Sequence, residues 1–433
     1  MSKITIVWLR RDLRLTDQTA LSAALKTSDK VLPIFIFDKH ILNDLEDRKD
    51  ARVNFIHQQL LQIKEQLEEY GSSLKTYYDT PKNAWEQIIQ EFDIEAVHTN
   101  HDYEPYAIKR DQEIEDFLSG HNIPFITHKD QCVFEKNEIT KDNGDPYVVY
   151  TPFSRKWKAK LAQEPEAIEV RNCTLFDHYY TCDPFSFPTL EDMNFSNSSI
   201  KIPLIDVDPE IIRKYDEQRD YPAIAGTTHL GIHLRFGTIS VRELVRQYQF
   251  LNEVFLNQII WRDFYMSILF HFPHVVGENY NRKYDKVPWE NNEAYFEAWK
   301  QGKTGYPIVD AAMHELNTTG YMHNRARMIV ASFLCKHLLI DWRWGEAYFA
   351  EKLLDYDLAA NNGSWQWAAG TGTDAQPYFR VFNPEAQMKK FDKSLAYVKK
   401  WIPDYDPDNY IAPIVEHKAA RLKAIETYKL ALS

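Results

Sequence analysis

Short apolar runs alternate with amphipathic stretches through the first 130 residues. Ile4–Leu9 and Val31–Phe37 are almost wholly apolar and read as buried strands, with a helix predicted near Asp17–Thr27 between them. Val53, Ile56, Leu60, Ile63 and Leu67 then recur at helical spacing. Leu74–Tyr78, Ala96–Thr99 and Pro124–Thr127 supply three more strand-like runs, with helices predicted over Lys82–Phe92 and Ala107–Leu118. Apolar strands alternating with helices predict a Rossmann-like α/β domain over residues 1–130, its five-stranded parallel sheet covered on both faces. Residues 131–203 lose this periodicity, carry Pro146, Pro152, Pro165, Pro184 and Pro188, and read as an interdomain connector. Beyond Asp208 the strand pattern stops and helical spacing takes over, predicting an all-α domain over residues 204–433.

A chain of 433 residues holds two or three cores, and 44% hydrophobic with 26% charged residues is a soluble globular composition. No run of 18 apolar residues occurs, and Lys3, Arg10, Arg11, Asp12 and Arg14 interrupt any secretion signal, so a cytoplasmic protein without a membrane partner is expected. Cys132, Cys173, Cys182 and Cys335 form no CxxC pair and have no histidine at metal spacing; reduced thiols and no metal are expected. A net charge of −12 argues against indiscriminate nucleic-acid binding but allows a local basic patch. No GxGxxG follows the first strand, which removes support for a dinucleotide loop of that kind. Gly302-Lys303-Thr304 imitates the end of a P-loop, but Glu297 stands where the other glycine is needed, which excludes a nucleoside triphosphatase.

Candidate chemistry concentrates in Leu354–Arg380, LDYDLAANNGSWQWAAGTGTDAQPYFR. If Asp357–Trp365 is helical, Asp357, Asn361 and Trp365 share one face. A carboxylate, an amide and an aromatic ring suit a planar heteroaromatic with imide edges, such as a flavin; they also suit an ordinary tryptophan-anchored core helix. Gly226-Thr227-Thr228-His229-Leu230-Gly231 is either a phosphate-holding helix start or a capping turn. Gln258 and Trp261 fall on one side of a helical run, beside Arg262, and Met322–Met328 forms a basic turn.

The order Asp355-x-Asp357-Leu-Ala-Ala-Asn361-Asn362-Gly363-x-Trp365-Gln366-Trp367, then Thr-Gly-Thr-Asp and Tyr378-Phe379-Arg380, resembles the flavin-binding signature of the photolyase/cryptochrome family. This version is similar to class I cyclobutane pyrimidine dimer photolyases, and the resemblance runs from Ile4 to about Lys423. It implies an α/β antenna-type domain, an all-helical FAD-binding catalytic domain, and a monomer that repairs DNA containing pyrimidine dimers. In that family reduced FAD, excited by blue or near-ultraviolet light, gives one electron to a flipped-out dimer. The resemblance implies that Tyr215, Thr227, Thr228, Leu230 and Arg262 hold the flavin diphosphate. It places Asn324, Arg327, Asp355, Asp357 and Asn361 beside the rest of the cofactor. Gln258, Trp261, Asn324, Met328 and Trp367 are implied lesion contacts, with Arg219, Arg325 and Arg380 on DNA phosphates. Trp365, Trp342 and Trp289 match the family's electron relay, and Asn361 is implied at the flavin N5 edge.

Five positions depart from the family pattern. Gln18 stands for the usual Asn, and Gly231 for a Ser near the diphosphate. Tyr106-Ala107 replaces the Asn-Glu pair of folate-binding members, so a second antenna chromophore stays open between methenyltetrahydrofolate, a deazaflavin and none. Gln258 replaces the class I Glu, as in (6-4) photolyases and animal cryptochromes. A (6-4) enzyme would carry paired histidines where only His323 is present. A photoreceptor would carry Asp or Cys at Asn361, and a long tail beyond the core is not expected with the chain ending at Ser433.

Overall fold

The computed structural model describes residues 3–433. Its strands are β1 (Ile4–Leu9), β2 (Val31–Asp38), β3 (Lys75–Asp79), β4 (Ile94–Asn100) and β5 (Phe125–His128). They form one sheet in the order β3-β2-β1-β4-β5, every pair parallel, as the sequence pattern predicts. Every residue of β1 and β2 is buried, which is why neither strand alternates in polarity. Helices Thr19–Thr27, Ala51–Glu69, Pro81–Glu91 and Pro105–Gly120 connect the strands, with Trp85 of the third meeting Trp8 of β1 edge-on at 5.6 Å.

The first helix starts two residues later than predicted. Asp17 is left-handed (φ 45°), and its carboxylate takes the Ser240 hydroxyl and Arg242. Gln18, fully buried, caps the helix by accepting the Leu21 amide and donates Nε2–H to Asp12 at 2.8 Å. Both ends of its amide are used, so the longer side chain is accommodated at this position.

The chain divides into two compact units, neither of them a continuous segment. The first comprises Met1–Glu135, Lys160–Ile205 and Leu230–Gln247; the second comprises Lys136–Ala159, Asp206–His229 and Tyr248–Ser433. Residues 131–203 are thus shared between the units, and they contain the helix Tyr150–Gln163. In the first unit a buried ion cluster ties distant segments together: Asp130 pairs with Arg14 (2.6 Å) and Arg242 (2.8 Å), and Arg242 reaches Asp17 (3.2 Å). Burying such charges is tolerable only because each is matched.

The second unit is helical. Its core gathers Trp299, Met313, Phe333, Trp342, Phe349 and Trp365. The basic turn at Met322–Met328 leads into an α-helix, Asn324–Ser332, followed by a π-helical turn, Phe333–His337. That turn buries Lys336, whose Nζ donates to the Ala369 carbonyl (2.7 Å) and sits 3.8 Å from the centre of the Tyr428 ring. The Thr304 amide and hydroxyl are both spent on buried Asp310, so the P-loop imitation is a structural turn. Among the described residues no cysteine forms a disulfide. Among the described residues no helix is long and apolar enough to cross a membrane, and no His/Cys/Asp/Glu group is arranged to hold a metal.

Candidate cofactor and nucleic-acid site

The site is organised on the helix Leu358–Ala369 of the second unit. Asp357 does not extend this helix as the i, i+4, i+8 reading requires. It is the N-cap, with extended backbone, and its carboxylate accepts the Ala360 amide at 3.2 Å. Gly370 closes the other end at φ 87°. Asn362 and Gln366 fix the helix from behind by donating to the Val275 carbonyl at 2.9 and 3.0 Å. Gln366 also accepts the Tyr280 amide at 2.9 Å.

Asn361 is nearly buried, and its Nδ2 donates to the Glu346 carbonyl (3.2 Å) and to Glu346 Oε1 (2.9 Å). Both amide hydrogens are therefore committed, and Oδ1 is the atom left to accept. Burial pushes the Glu346 carboxyl above its ordinary range, against the hydrogen bonds from Asn361 and Tyr356. Nothing in the sequence pattern singled out Glu346. One position earlier, Gly345 makes room for the Trp365 ring: a Cβ there would lie 2.1 Å from the Trp365 indole. Trp365 packs edge-on against Phe349 (5.0 Å) and Trp299 (6.2 Å). Trp342 is buried with Nε1–H on Asn279 Oδ1 at 2.8 Å, and half-buried Trp289 meets the Tyr428 ring edge-on at 5.9 Å.

Arg327 pairs with both oxygens of Asp355 (3.0 and 2.9 Å) and donates Nε–H to the Met322 carbonyl at 2.7 Å. Burial opposes the Arg327 charge, and Asp355 more than offsets it. The Thr227 hydroxyl lies 3.4 Å from that of Tyr321, and the Tyr215 ring lies edge-on to Phe255 at 5.5 Å. Gly226 admits no side chain, since its Cβ would fall 2.6 Å from Gln218 Cβ. Thr228 and Arg262 are half-buried, whereas Leu230 is buried within the first unit. An unspent amide oxygen, a fixed guanidinium and threonine hydroxyls are the donor set that a planar imide-edged ring with a diphosphate requires, so the residues fit FAD.

On the proposed lesion side, Gln258 turns its Nε2 back to the Val254 carbonyl of its own helix at 3.1 Å. Trp261 is stacked on Tyr150, rings 3.7 Å apart and 3° from parallel. Tyr150 comes from a stretch without periodicity and was not anticipated. Exposed Asn324 reaches the Met328 sulfur at 4.0 Å, while Trp367 is half-buried and Arg380 exposed. Arg325 is paired with Asp220 at 2.7 Å, and Arg219 lies 3.8 Å from the same carboxylate oxygen.

Comparison with known proteins agrees with this geometry. A model for DNA photolyase matches residues 5–170, and one for the FAD binding domain of DNA photolyase matches residues 255–407. A deoxyribodipyrimidine photo-lyase of Synechococcus sp. is 38% identical, covering 93% of this chain and 88% of its own. The crystal structure of a bacterial class III photolyase from Agrobacterium tumefaciens aligns with TM-score 0.87 at 31% identity, covering 100% of this chain and 98% of its own. An archaeal photolyase from Sulfolobus tokodaii, described with two FAD molecules that imply a novel light-harvesting cofactor, aligns with TM-score 0.83 at 35% identity over 98% of this chain and 99% of its own.

Proposed function

Because the chain belongs to the DNA photolyase family, we propose that it is a deoxyribodipyrimidine photo-lyase, which repairs cyclobutane pyrimidine dimers in DNA under light. The observation that carries the site assignment is the Asn361 amide, whose orientation is dictated by Glu346 so that an oxygen is left for a hydrogen on the cofactor's edge. Bound FAD supplies the light absorption and the transferable electron.

The chain's own residues do the rest. Arg327, held by Asp355, places a cation beside the ring, and Tyr215, Thr227, Thr228 and Arg262 hold the diphosphate. Asn324 and Asp357 complete the cofactor's surroundings. Trp261, backed by Tyr150, offers a stiff stacking surface to an extruded lesion, and Gln258 presents an amide to its carbonyl or imide edge. Met328 and Trp367 supply apolar contact, while Arg219, Arg325 and Arg380 meet flanking phosphates. Trp365, Trp342 and Trp289 relay electrons inward to restore the reduced cofactor. The dimer splits after gaining one electron and gives it back, so the reaction needs no net oxidant, general base or metal. One copy of the chain suffices in this reading, which places it with the DNA in the cytoplasm. Extracting the purified protein and recording the absorption of the extract distinguishes methenyltetrahydrofolate, a deazaflavin and no second chromophore.

The test uses oligonucleotides carrying either a cyclobutane dimer or a (6-4) photoproduct, incubated with reduced holoenzyme in light and in darkness. Restoration of the cyclobutane substrate in light alone is expected. Repair of only the (6-4) substrate, or of neither, overturns the assignment.

A further inference from the structure

We propose that Asp220 is a built-in counter-charge that occupies the phosphate-facing side of Arg325 and Arg219 and holds down the affinity of the site for DNA backbone. The inference rests on the reading that these two arginines meet phosphates. A single oxygen, Asp220 Oδ1, lies 2.7 Å from Arg325 and 3.8 Å from Arg219. One anionic oxygen shared by two guanidiniums is the arrangement that a DNA phosphate oxygen would take between them.

The carboxylate is not needed to place either cation. The Arg325 guanidinium lies 4.3 Å from the centre of the Phe391 ring, which is buried and braced by Tyr221 at 6.3 Å. The Arg325 backbone is fixed separately, its amide donating to the capping His323 Nδ1 at 3.1 Å. Arg219 lies 5.7 Å from the centre of the Tyr215 ring. Asp220 is the most exposed of the three, its side chain 38% accessible against 16% for Arg325 and 25% for Arg219. It can turn into solvent without unburying anything, and a phosphate can take its place.

The physical consequence is a halved local charge, two cations reduced to one, in a protein of net charge −12. Backbone contacts provide the sequence-independent part of DNA affinity. Asp220 opposes that part, whereas stacking of an extruded lesion on Trp261 does not depend on charge. Undamaged DNA is therefore released readily, and the site is not occupied by ordinary duplex.

Two substitutions separate charge from position. Asp220→Asn keeps an oxygen that accepts from Arg325 and removes the charge; Asp220→Ala removes both. Binding of the FAD-loaded variants to undamaged and dimer-containing duplexes is measured across a salt series, with thermal melting as the folding control. Both variants should bind each DNA roughly three- to tenfold more tightly at low salt, and the salt dependence should steepen by up to about one released ion. Unchanged affinity in Asp220→Asn with weaker binding in Asp220→Ala would identify a positioning residue and overturn the proposal, as would no change in either. Arg325→Ala serves as a reference. If it weakens both DNAs while Asp220→Asn does not tighten them, the counter-charge idea alone fails. If Arg325→Ala has no effect, the phosphate reading fails, and the proposal with it.

Discussion

Gly345→Ala is the substitution for which the structure yields the most definite expectation. A Cβ at this position would lie 2.1 Å from Trp365 Cη2, 2.4 Å from Cζ3 and 2.6 Å from Leu334 Cδ2. Ordinary carbon contacts begin near 3.5 Å, so the indole must retreat by roughly 1.4 Å. Its retreat is limited by Phe349 at 5.0 Å and Trp299 at 6.2 Å, both packed edge-on. Overpacking of this kind costs about 1–3 kcal/mol. Gly345 is inside the helix Trp342–Lys352, where alanine is intrinsically better than glycine by about 1 kcal/mol. Packing therefore wins by up to about 2 kcal/mol, a loss of a few degrees in melting temperature for a chain of this size. The larger effect is on position, because Trp365 stands one helical turn from Asn361. Thermal melting, FAD content after purification and the rate of photoreduction with thiol are the assays. A lower melting point, an unchanged far-ultraviolet spectrum and slower photoreduction are expected. A Gly345→Ala protein that melts higher, as helix propensity alone demands, and photoreduces normally would refute the argument.

Glu346→Ala should turn or loosen the Asn361 amide, because it removes the Oε1 acceptor that now holds Nδ2 at 2.9 Å; the check is the absorption spectrum of bound FAD during reduction, and identical spectra would contradict it. Trp342→Phe should slow photoreduction while leaving repair by chemically pre-reduced enzyme intact, and a parallel fall in both would make the residue structural. The neutral pair His98 and His128 shares one hydrogen bond at 3.0 Å, and burial pushes His128 down to about 4. A folded-state value below the unfolded one means that the unfolded chain binds the proton first, so stability is present above pH ~6.5 and lost as pH falls towards ~4. Denaturant titrations at stepped pH should show that limb, and His128→Gln should flatten it.

The parallel sheet was legible because β1 and β2 are buried on both faces, which leaves a continuous apolar run that few other structures produce. The cofactor helix was legible because its motif is dense and local. Asp357 was misplaced by one structural role: aspartate before an Ala-rich run is as good a cap as a face residue, and periodicity does not separate the two. The π-helical turn at Phe333–His337 left no trace, since it is a shift in hydrogen bonding that apolar spacing does not encode. Glu346, Tyr150 and Asp220 were invisible for another reason. Each acts through a partner 15, 111 or 105 residues away, and a lone Glu, Tyr or Asp in an amphipathic or irregular stretch reads as solvated.

The interleaving of the two compact units bears on how this chain is made. The last strand of the sheet ends at His128, but the buried Asp17 takes its counter-charge from Arg242, and Asp130 shares that guanidinium in addition to Arg14. A ribosome adding ~5–20 residues per second needs roughly 6–23 s to synthesise the intervening segment. During that interval the sheet exists with Arg14 as the cluster's cation and without the guanidinium that balances it. The buried cluster of the first unit is thus complete only once the middle of the chain has been made, and slower translation between residues 129 and 242 lengthens the interval in which Asp17 lacks its guanidinium.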